Sequence, residues 1–143
     1  MFGKKTGKPQ NQIDSLIGAN THIEGNVTFS GGLRVDGHIR GNIIATNDKP
    51  STLVLSDRAA VEGRIRVSHA IINGTVTGAI QTSEYVELQA KARVSGDIQY
   101  KNLEIHVGAS VEGMLLQRDM DEVQPGSKVV SLIPVAQGDR GGD

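Results

Sequence analysis

The fold of this chain can be inferred from one stretch, Val86-Glu-Leu88-Gln-Ala-Lys-Ala92-Arg-Val94-Ser-Gly96-Asp-Ile98. The same spacing of apolar residues and glycine recurs in residues 53–65 and 103–115. A shorter core, with an aliphatic residue two positions before a glycine and another two positions after it, occurs six times. Its glycines lie 16, 22, 15, 18 and 17 residues apart and are Gly25, Gly41, Gly63, Gly78, Gly96 and Gly113. A repeat this short cannot bury its own apolar face, so successive copies must stack on one another.

Alternation of apolar and polar residues around each glycine indicates strands with one face turned inward. The alternation breaks between segments, as expected at corners, and about 17–18 residues per turn suits three short sides. The sequence therefore predicts an all-β, three-sided parallel β-helix of about six turns, with one strand per side. The predicted inward residues are Ile23, Ile39, Val61, Val76, Val94 and Val111 before glycine, and Val27, Ile43, Ile65, Ile80, Ile98 and Leu115 after it. The glycines serve either a corner with positive φ or a close backbone approach.

Length and proline placement predict one domain with two tails. We expect a disordered leader at residues 1–16, the β-helix at 17–116 and a disordered tail at 117–143. Proline removes a ladder donor, and three of the four prolines lie in the tails. The fourth, Pro50, predicts a loop at residues 46–52.

Composition excludes several classes of protein. The net charge is −1, with 15 basic and 16 acidic residues, which argues against a general nucleic-acid binder. Cysteine is absent, which excludes disulfides and thiolate metal sites. The chain has no apolar run long enough to span a membrane and no signal-peptide pattern at its N-terminus, so a cytoplasmic protein is expected.

The terminal turns of such a stack are predicted to be sites of self-assembly, because they present unpaired backbone groups that nothing in the sequence clearly blocks. End-to-end contacts would give an open filament, polar or non-polar. The alternative is that the tails fold back over both ends. The predicted polymer interface comprises Leu16, Ile17, Ile23, Val27 and Phe29 at one end, and Leu103, Ile105, Val111, Met114, Leu115 and Leu116 at the other.

Residues 17–27 and 32–43 resemble the opening signature of the bactofilin family of bacterial cytoskeletal proteins, and the resemblance extends over about residues 13–118. It implies a right-handed β-helix that assembles without nucleotide into non-polar filaments. It also implies a scaffold on the inner face of the cytoplasmic membrane, which organises cell shape or cell-wall synthesis through client proteins.

The leader resembles the short membrane-targeting motif of that family. Its candidate membrane-binding residues are Met1, Phe2, Lys4, Lys5 and Lys8. An aromatic residue can insert into a bilayer while lysines attract an anionic lipid surface. The alternative is a solvated leader. The apolar segment at residues 128–135 is either a partner-binding peptide, a segment that docks on the rod, or a disordered stretch.

Enzymatic alternatives are weaker. Hexapeptide-repeat β-helix acyltransferases also use short aliphatic-glycine repeats, but those keep multiples of six residues, and they use a catalytic histidine. None of His22, His38, His69 and His106 has neighbouring catalytic residues in the sequence. Asp36 and His38 are expected on one strand face, but two ligands are too few for a metal. No catalytic, cofactor or metal site is therefore predicted. Glu24, Arg40 and Glu62 alternate in sign, which indicates either paired charges between turns or a solvated face.

Overall fold

The computed structural model describes residues 13–46 and 49–118, and every strand pairing in them is parallel. The strands are β1 (Ser15–Ile17), β2 (His22–Glu24), β3 (Val27–Phe29), β4 (Gly31–Val35), β5 (His38–Arg40), β6 (Ile43–Ala45), β7 (Ser51–Leu55), β8 (Ala60–Glu62), β9 (Ile65–Ile72), β10 (Thr75–Thr77), β11 (Ile80–Leu88), β12 (Arg93–Ser95), β13 (Ile98–Tyr100), β14 (Asn102–Ile105), β15 (Ser110–Glu112) and β16 (Leu115–Gln117). The predicted all-β solenoid of about six turns is confirmed.

The strands form three faces that the chain visits in turn. Face one contains β1, β4, β7, the second halves of β9 and β11, and β14. Face two is a separate six-stranded sheet in the order β15-β12-β10-β8-β5-β2. Face three contains β3, β6, the first halves of β9 and β11, then β13 and β16. Each face therefore has six strands, one from each turn.

The predicted inward residues stack in register through the whole solenoid. On face two, Ile39, Val61, Val76 and Val94 form the interior of one column, and each is at most 2% exposed. The matching column on face three is 0% exposed at its four interior positions. Face one adds two more inward columns, which contain Leu33, Leu53, Ala70 and Val86, and Val35, Leu55, Ile72 and Leu88. The core is thus a set of aliphatic columns parallel to the solenoid axis.

The repeated glycines satisfy both of the predicted requirements. Gly78 has a φ of +143°, and a Cβ built there would lie 2.2 Å from the carbonyl oxygen of Gly63 in the preceding turn. The other stacked repeat glycines show the same geometry, with Cβ-to-oxygen distances of 2.1–2.2 Å. Any side chain at these positions would therefore be strained and would also push adjacent turns apart.

The corner between faces one and two explains why two of the repeat intervals are shorter than the others. A wide corner is closed by a hydrogen bond such as Ala92 N–H to the Gln89 carbonyl, while a tight corner such as Asn73-Gly74 needs two residues fewer. Tight corners occur in the 16- and 15-residue intervals, and wide corners occur in the others. The predicted loop at residues 46–52 is wrong at its far end, because β7 already begins at Ser51 and pairs with β4.

The handedness of the coil and the domain borders at residues 16 and 117 stay predictions. The membrane-binding residues of the leader, and the apolar segment at residues 128–135, lie outside the described residues.

Candidate assembly interfaces at the two ends of the solenoid

The first and last turns have the same inward pattern as the interior turns but a different degree of burial. In the face-two column, Val76 is 0% exposed, whereas Ile23 and Val111 at its ends are only partly buried. The same is true of Val27 and Leu115 at the ends of the face-three column. The residue types hardly change along each column, so the difference arises because an end turn has a neighbouring turn on one side only within residues 13–46 and 49–118.

The six strands of the end turns are edge strands. Each of β1, β2, β3, β14, β15 and β16 pairs with a single strand among the described residues. None of them contains proline or lysine, the residues that commonly block an exposed edge. Both ends therefore offer short edges without proline or lysine next to partly buried aliphatic side chains, an arrangement on which another turn of β-helix could stack.

The predicted interface residues fall into two groups in the structure. Eight lie on the inward side of the end turns and are Ile17, Ile23, Val27 and Phe29 at the N-terminal end, and Leu103, Ile105, Val111 and Leu115 at the C-terminal end. Leu16 and Leu116 are in register with the outward residues Arg34 and Gln99, so they point away from the core. Met114 lies in the turn after Gly113 and is 52% exposed. The role of all eleven in assembly stays a prediction.

A ladder of side-chain acceptors follows the stacked glycines. The backbone N–H of Asn42 donates to Asn26 Oδ1, that of Arg64 to Asn42 Oδ1, and that of Met114 to Asp97 Oδ1, at 2.9–3.0 Å. The donor lies in the later turn in every case. The backbone N–H of Asn26, which occupies the same position in the first turn, therefore points towards the N-terminal end of the solenoid. At the C-terminal end, the side chain of Met114 has no oxygen that could accept such a hydrogen bond from a further turn.

Charges on face two pair across turns. The Arg40 guanidinium lies 3.6 Å from a carboxylate oxygen of Glu24 on one side and 3.6 Å from one of Glu62 on the other. The predicted alternation of charge is thus an ion-pair ladder, although all three side chains are more than half exposed. At the other outward position of β2 and β5, the rings of His22 and His38 stack with their centroids 4.7 Å apart.

The prediction that Asp36 and His38 lie on the same strand face is wrong. Asp36 lies in the corner before β5, where its carboxylate accepts a hydrogen bond from Arg34 at 3.0 Å. His38 lies on β5 and stacks on His22 instead. The two side chains therefore take part in separate interactions.

A serine and a histidine lie side by side at the start of face one. The Ser68 hydroxyl contacts His69 Nδ1 at 2.8 Å, but it also donates to the Ser51 carbonyl at 2.7 Å. A hydroxyl has one hydrogen to donate, so His69 is not placed to take it from Ser68 as a general base. Burial lowers the pKa of His69 below its ordinary value, against smaller opposing effects of the Ser51 backbone and Glu84. This contact closes a corner of the solenoid.

A second polar cluster lies near the C-terminal end, where sequence reasoning found no partners for His106. The side chains of Glu87, Glu104 and His106 meet on the outside of face one. The Tyr85 hydroxyl lies 2.9 Å from Glu104 Oε1 and 3.2 Å from Glu87 Oε1, so its single hydrogen can be donated to either carboxylate. Burial raises the pKa of Tyr85, and the hydrogen bond to Glu104 raises it further. The four residues come from positions 85–106, and only the stacking of turns brings them together.

The described residues include no helix that meets the length and hydropathy required to cross a bilayer.

Comparisons with known proteins identify relatives of this chain. Residues 15–115 match the model of a family described as bactofilin, polymer-forming cytoskeletal. The chain is 31% identical over 123 residues to bactofilin BacP of Myxococcus xanthus, an alignment that covers 86% of this chain and 48% of BacP. It is 32% identical over 108 residues to bactofilin BacO of the same organism, which covers 76% of this chain and 80% of BacO. The chain thus spans about half the length of BacP. No solved structure matches it. The family match covers nearly all of the six turns, and the chain therefore belongs to the bactofilin family of polymer-forming cytoskeletal proteins.

Proposed function

We propose that this chain is a non-enzymatic scaffold that assembles end to end, without nucleotide, into filaments. The observation that supports this most directly is the partial burial of Ile23 and Val111 in columns whose interior members are buried. Stacking another turn on each end would remove these side chains from water and pair the free edges. Assembly of this kind draws on hydrophobic burial and backbone hydrogen bonds, neither of which requires a nucleotide.

We further propose that like ends meet, so that the filament has no polarity. A head-to-tail junction in register would place Glu112 of one copy against Glu24 of the next, because these residues end the same outward column. Like charges directly opposite each other in adjacent strands are destabilising. The same junction would place Met114, which has no side-chain oxygen, beneath the backbone N–H of Asn26. The aliphatic columns would continue across such a junction, but the polar residues around them would not match.

If two copies are related by a two-fold axis through face two, Glu112 of one copy no longer faces Glu24 of the other. At the N-terminal end the axis would reverse one β2 against the other, so that Ile23 meets Ile23 of a second copy. His22 would then face Glu24 of that copy, an imidazole opposite a carboxylate. At the C-terminal end Val111 would meet its own equivalent and Glu112 would face Ser110. Both junctions would be isologous, and alternating them gives an open, non-polar filament.

Electron microscopy of the purified chain without nucleotide tests assembly. We expect filaments from the parent chain and none from Leu115→Arg, because the new charge would be enclosed in the C-terminal junction. Gln99→Arg is the matched control, since it adds the same charge to the outward side of face three one turn earlier. A parent chain that stays monomeric at high concentration, or a Leu115→Arg variant that assembles as well as the parent, contradicts the proposal.

Cross-linking tests polarity, because the chain has no cysteine of its own. Single Glu24→Cys and Glu112→Cys variants, assembled and treated with a short bis-maleimide, are each expected to give covalent dimers. In a head-to-tail filament neither single variant would cross-link, and only the double variant would do so. Dimers confined to the double variant would therefore refute the like-end arrangement.

We also propose that the filaments lie on the inner face of the cytoplasmic membrane and recruit cell-wall or morphogenesis client proteins. Inserting Phe2 is worth about 2 kcal/mol. Each of the three lysines near anionic lipid adds about 1 kcal/mol. A total near 5 kcal/mol corresponds to a dissociation constant of roughly 0.2 mM for a monomer. A filament that displays many leaders would bind far more tightly through avidity.

Vesicle co-sedimentation tests this part. Parent filaments are expected to sediment with anionic vesicles and to remain free with neutral ones, while deletion of residues 2–8 abolishes the binding. The Leu115→Arg variant retains its leader but not its avidity, so it should bind far more weakly than filaments. Unchanged binding after the deletion would exclude the leader as the membrane anchor.

A further inference from the structure

The outer surface of face one carries two carboxylates directly opposite each other in adjacent turns. Glu87 on β11 is in register with Glu104 on β14. Like charges in this position repel each other unless a cation lies between them. His106 follows Glu104 by two residues and brings its imidazole onto the same two carboxylates. The arrangement joins the last two turns of the solenoid.

The distances within this cluster suit a metal ion. His106 Nε2 lies 3.1 Å from Glu87 Oε2 and 3.2 Å from Glu104 Oε2, and all three ligand atoms lie within 4.8 Å of one another. A tetrahedral zinc ion with bonds of 2.0–2.1 Å holds its ligand atoms about 3.3 Å apart. The two imidazole-to-carboxylate distances are already close to that value, so little movement is needed to admit the ion.

A shell of neighbouring donors orients the two carboxylates. Tyr85 lies against Oε1 of both Glu104 and Glu87, which leaves each Oε2 turned towards His106. Gln89 Nε2 donates to Glu87 Oε2 at 3.2 Å, which further restrains that side chain. Outer-shell partners of this kind commonly fix metal-ligating carboxylates. Glu87 is the most buried ligand at 18% side-chain exposure, while His106 and Glu104 at 40% and 58% leave the remaining coordination positions open to water.

We propose that Glu87, Glu104 and His106 form a binding site for a divalent transition-metal ion, best fitted by Zn²⁺. An imidazole with two carboxylates favours zinc over calcium or magnesium, which prefer ligand sets made of oxygen alone. The bound ion neutralises the opposed carboxylates and ties the last turn to the one before it. Ile105 lies between two of the ligands and is 45% exposed at the C-terminal edge, so the ion also fixes the strand that the proposed filament junction would use. That last consequence rests on the proposed function, whereas the binding itself does not.

Isothermal titration with ZnCl₂ tests the site on the full chain after treatment with a chelator. We expect one zinc ion per chain and no comparable binding of Mg²⁺. His106→Gln should lower the affinity for zinc at least tenfold, and Glu87→Gln should have a similar effect. Tyr85→Phe keeps all three ligands but removes the orienting hydroxyl, so it should weaken zinc binding about tenfold. Substitution of Co²⁺ should give a visible absorption band that is lost in His106→Gln.

His22→Gln is the matched control, because His22 is an exposed histidine outside the cluster and stacks on His38. It should bind zinc as the parent does. If the parent chain shows no saturable zinc binding, the cluster is an ion pair without metal affinity and the proposal is overturned. Parental affinity in His106→Gln, or an equal loss of affinity in His22→Gln, would also overturn it. The titration is repeated on Leu115→Arg, where zinc binding should persist, so that failure to assemble and failure to bind metal are recorded separately.

Discussion

The interior turns and the end turns of this solenoid have almost the same sequence pattern, yet they differ in what covers them. Val76 is enclosed by Val61 and Val94, while Val111 has Val94 as its single column neighbour among the described residues. The same valine is therefore a core residue in one turn and a partly exposed residue in the other. Each interior turn is covered by a neighbouring turn on both sides, whereas each end turn is covered on one side among the described residues.

The two ends also differ from each other. The N-terminal turn carries His22 and Glu24 on face two. The C-terminal turn carries Glu112 there, and the cluster of Glu87, Glu104 and His106 on face one joins that turn to the one before it. The aliphatic columns are alike at both ends, so hydrophobic burial alone does not select a partner end. Polar residues around the columns are therefore the features that can determine which ends meet.

The largest effect is expected from a charge placed in the interior. Val76→Asp would bury an unpaired carboxylate in a column that is 0% exposed, and it should destabilise the fold by about 3–5 kcal/mol. Val111→Asp makes the same change in the last turn, where water reaches the side chain, and should destabilise it by about 1 kcal/mol. Denaturant unfolding at a concentration below assembly measures both. Equal destabilisation by the two variants would remove the distinction between interior and end turns.

The stacked glycines separate two sources of strain. Gly78→Ala would combine a φ of +143° with a Cβ placed 2.2 Å from the Gly63 carbonyl oxygen. Gly25 has a φ of +128°, but nothing lies within 4 Å of a Cβ built there, because no turn precedes it among the described residues. We expect Gly25→Ala to cost about 1–3 kcal/mol of stability from backbone strain alone. Gly78→Ala should cost clearly more.

Thermal unfolding monitored by circular dichroism compares these two variants. If Gly78→Ala is no more harmful than Gly25→Ala, the close approach of adjacent turns is not a determinant of stability. If Gly25→Ala folds as expected but fails to form filaments, the junction at the N-terminal end approaches as closely as the interior turns do.

The glycine ladder also shows what a sequence of this kind reveals. Regular spacing predicted the faces and the twelve inward residues two positions before and after each glycine, because every turn repeats the same local pattern. That Gly78 combines a positive φ with a close approach to Gly63 required the structure, since the approach depends on the distance between turns. The outward direction of Leu16 was missed because an apolar residue at an edge looks the same in sequence whichever way it points.

The cluster around His106 was beyond sequence reasoning for a related reason. Glu87 and His106 are far apart along the chain, and they meet only because Glu87 pairs with Glu104 in the next turn. Prediction of that contact requires the exact register of β11 and β14, which depends on whether the intervening corners are tight or wide. The signal in the sequence is that Glu87 and Glu104 are separated by about one turn, but many other pairs of residues in the chain have the same spacing.

A smaller effect is expected from pH on an interior turn. Burial lowers the pKa of His69 below its ordinary value of 6.5, so the folded state binds fewer protons than the unfolded state as the pH falls. The free energy of unfolding should therefore decrease as the pH drops through about 6.5 and stop decreasing below the folded-state pKa. His69→Gln should flatten this dependence. Unfolding titrations between pH 7.5 and 5 that show the same slope for both chains would contradict this assignment.

The smallest effect is expected from the charges on face two. Arg40 pairs with Glu24 of the end turn and with Glu62 of an interior turn at the same distance of 3.6 Å, and all three side chains are largely exposed. Double-mutant cycles of Arg40→Ala with Glu24→Ala and with Glu62→Ala should each give a coupling energy below about 1 kcal/mol, which salt should reduce. We expect the Glu62 coupling to be slightly larger, because β8 is held between two strands while β2 has one. Equal couplings in the monomer would mean that the exposed edge does not loosen its outward side chains, and a Glu24 coupling that grows on assembly would indicate that a second copy has covered the N-terminal turn.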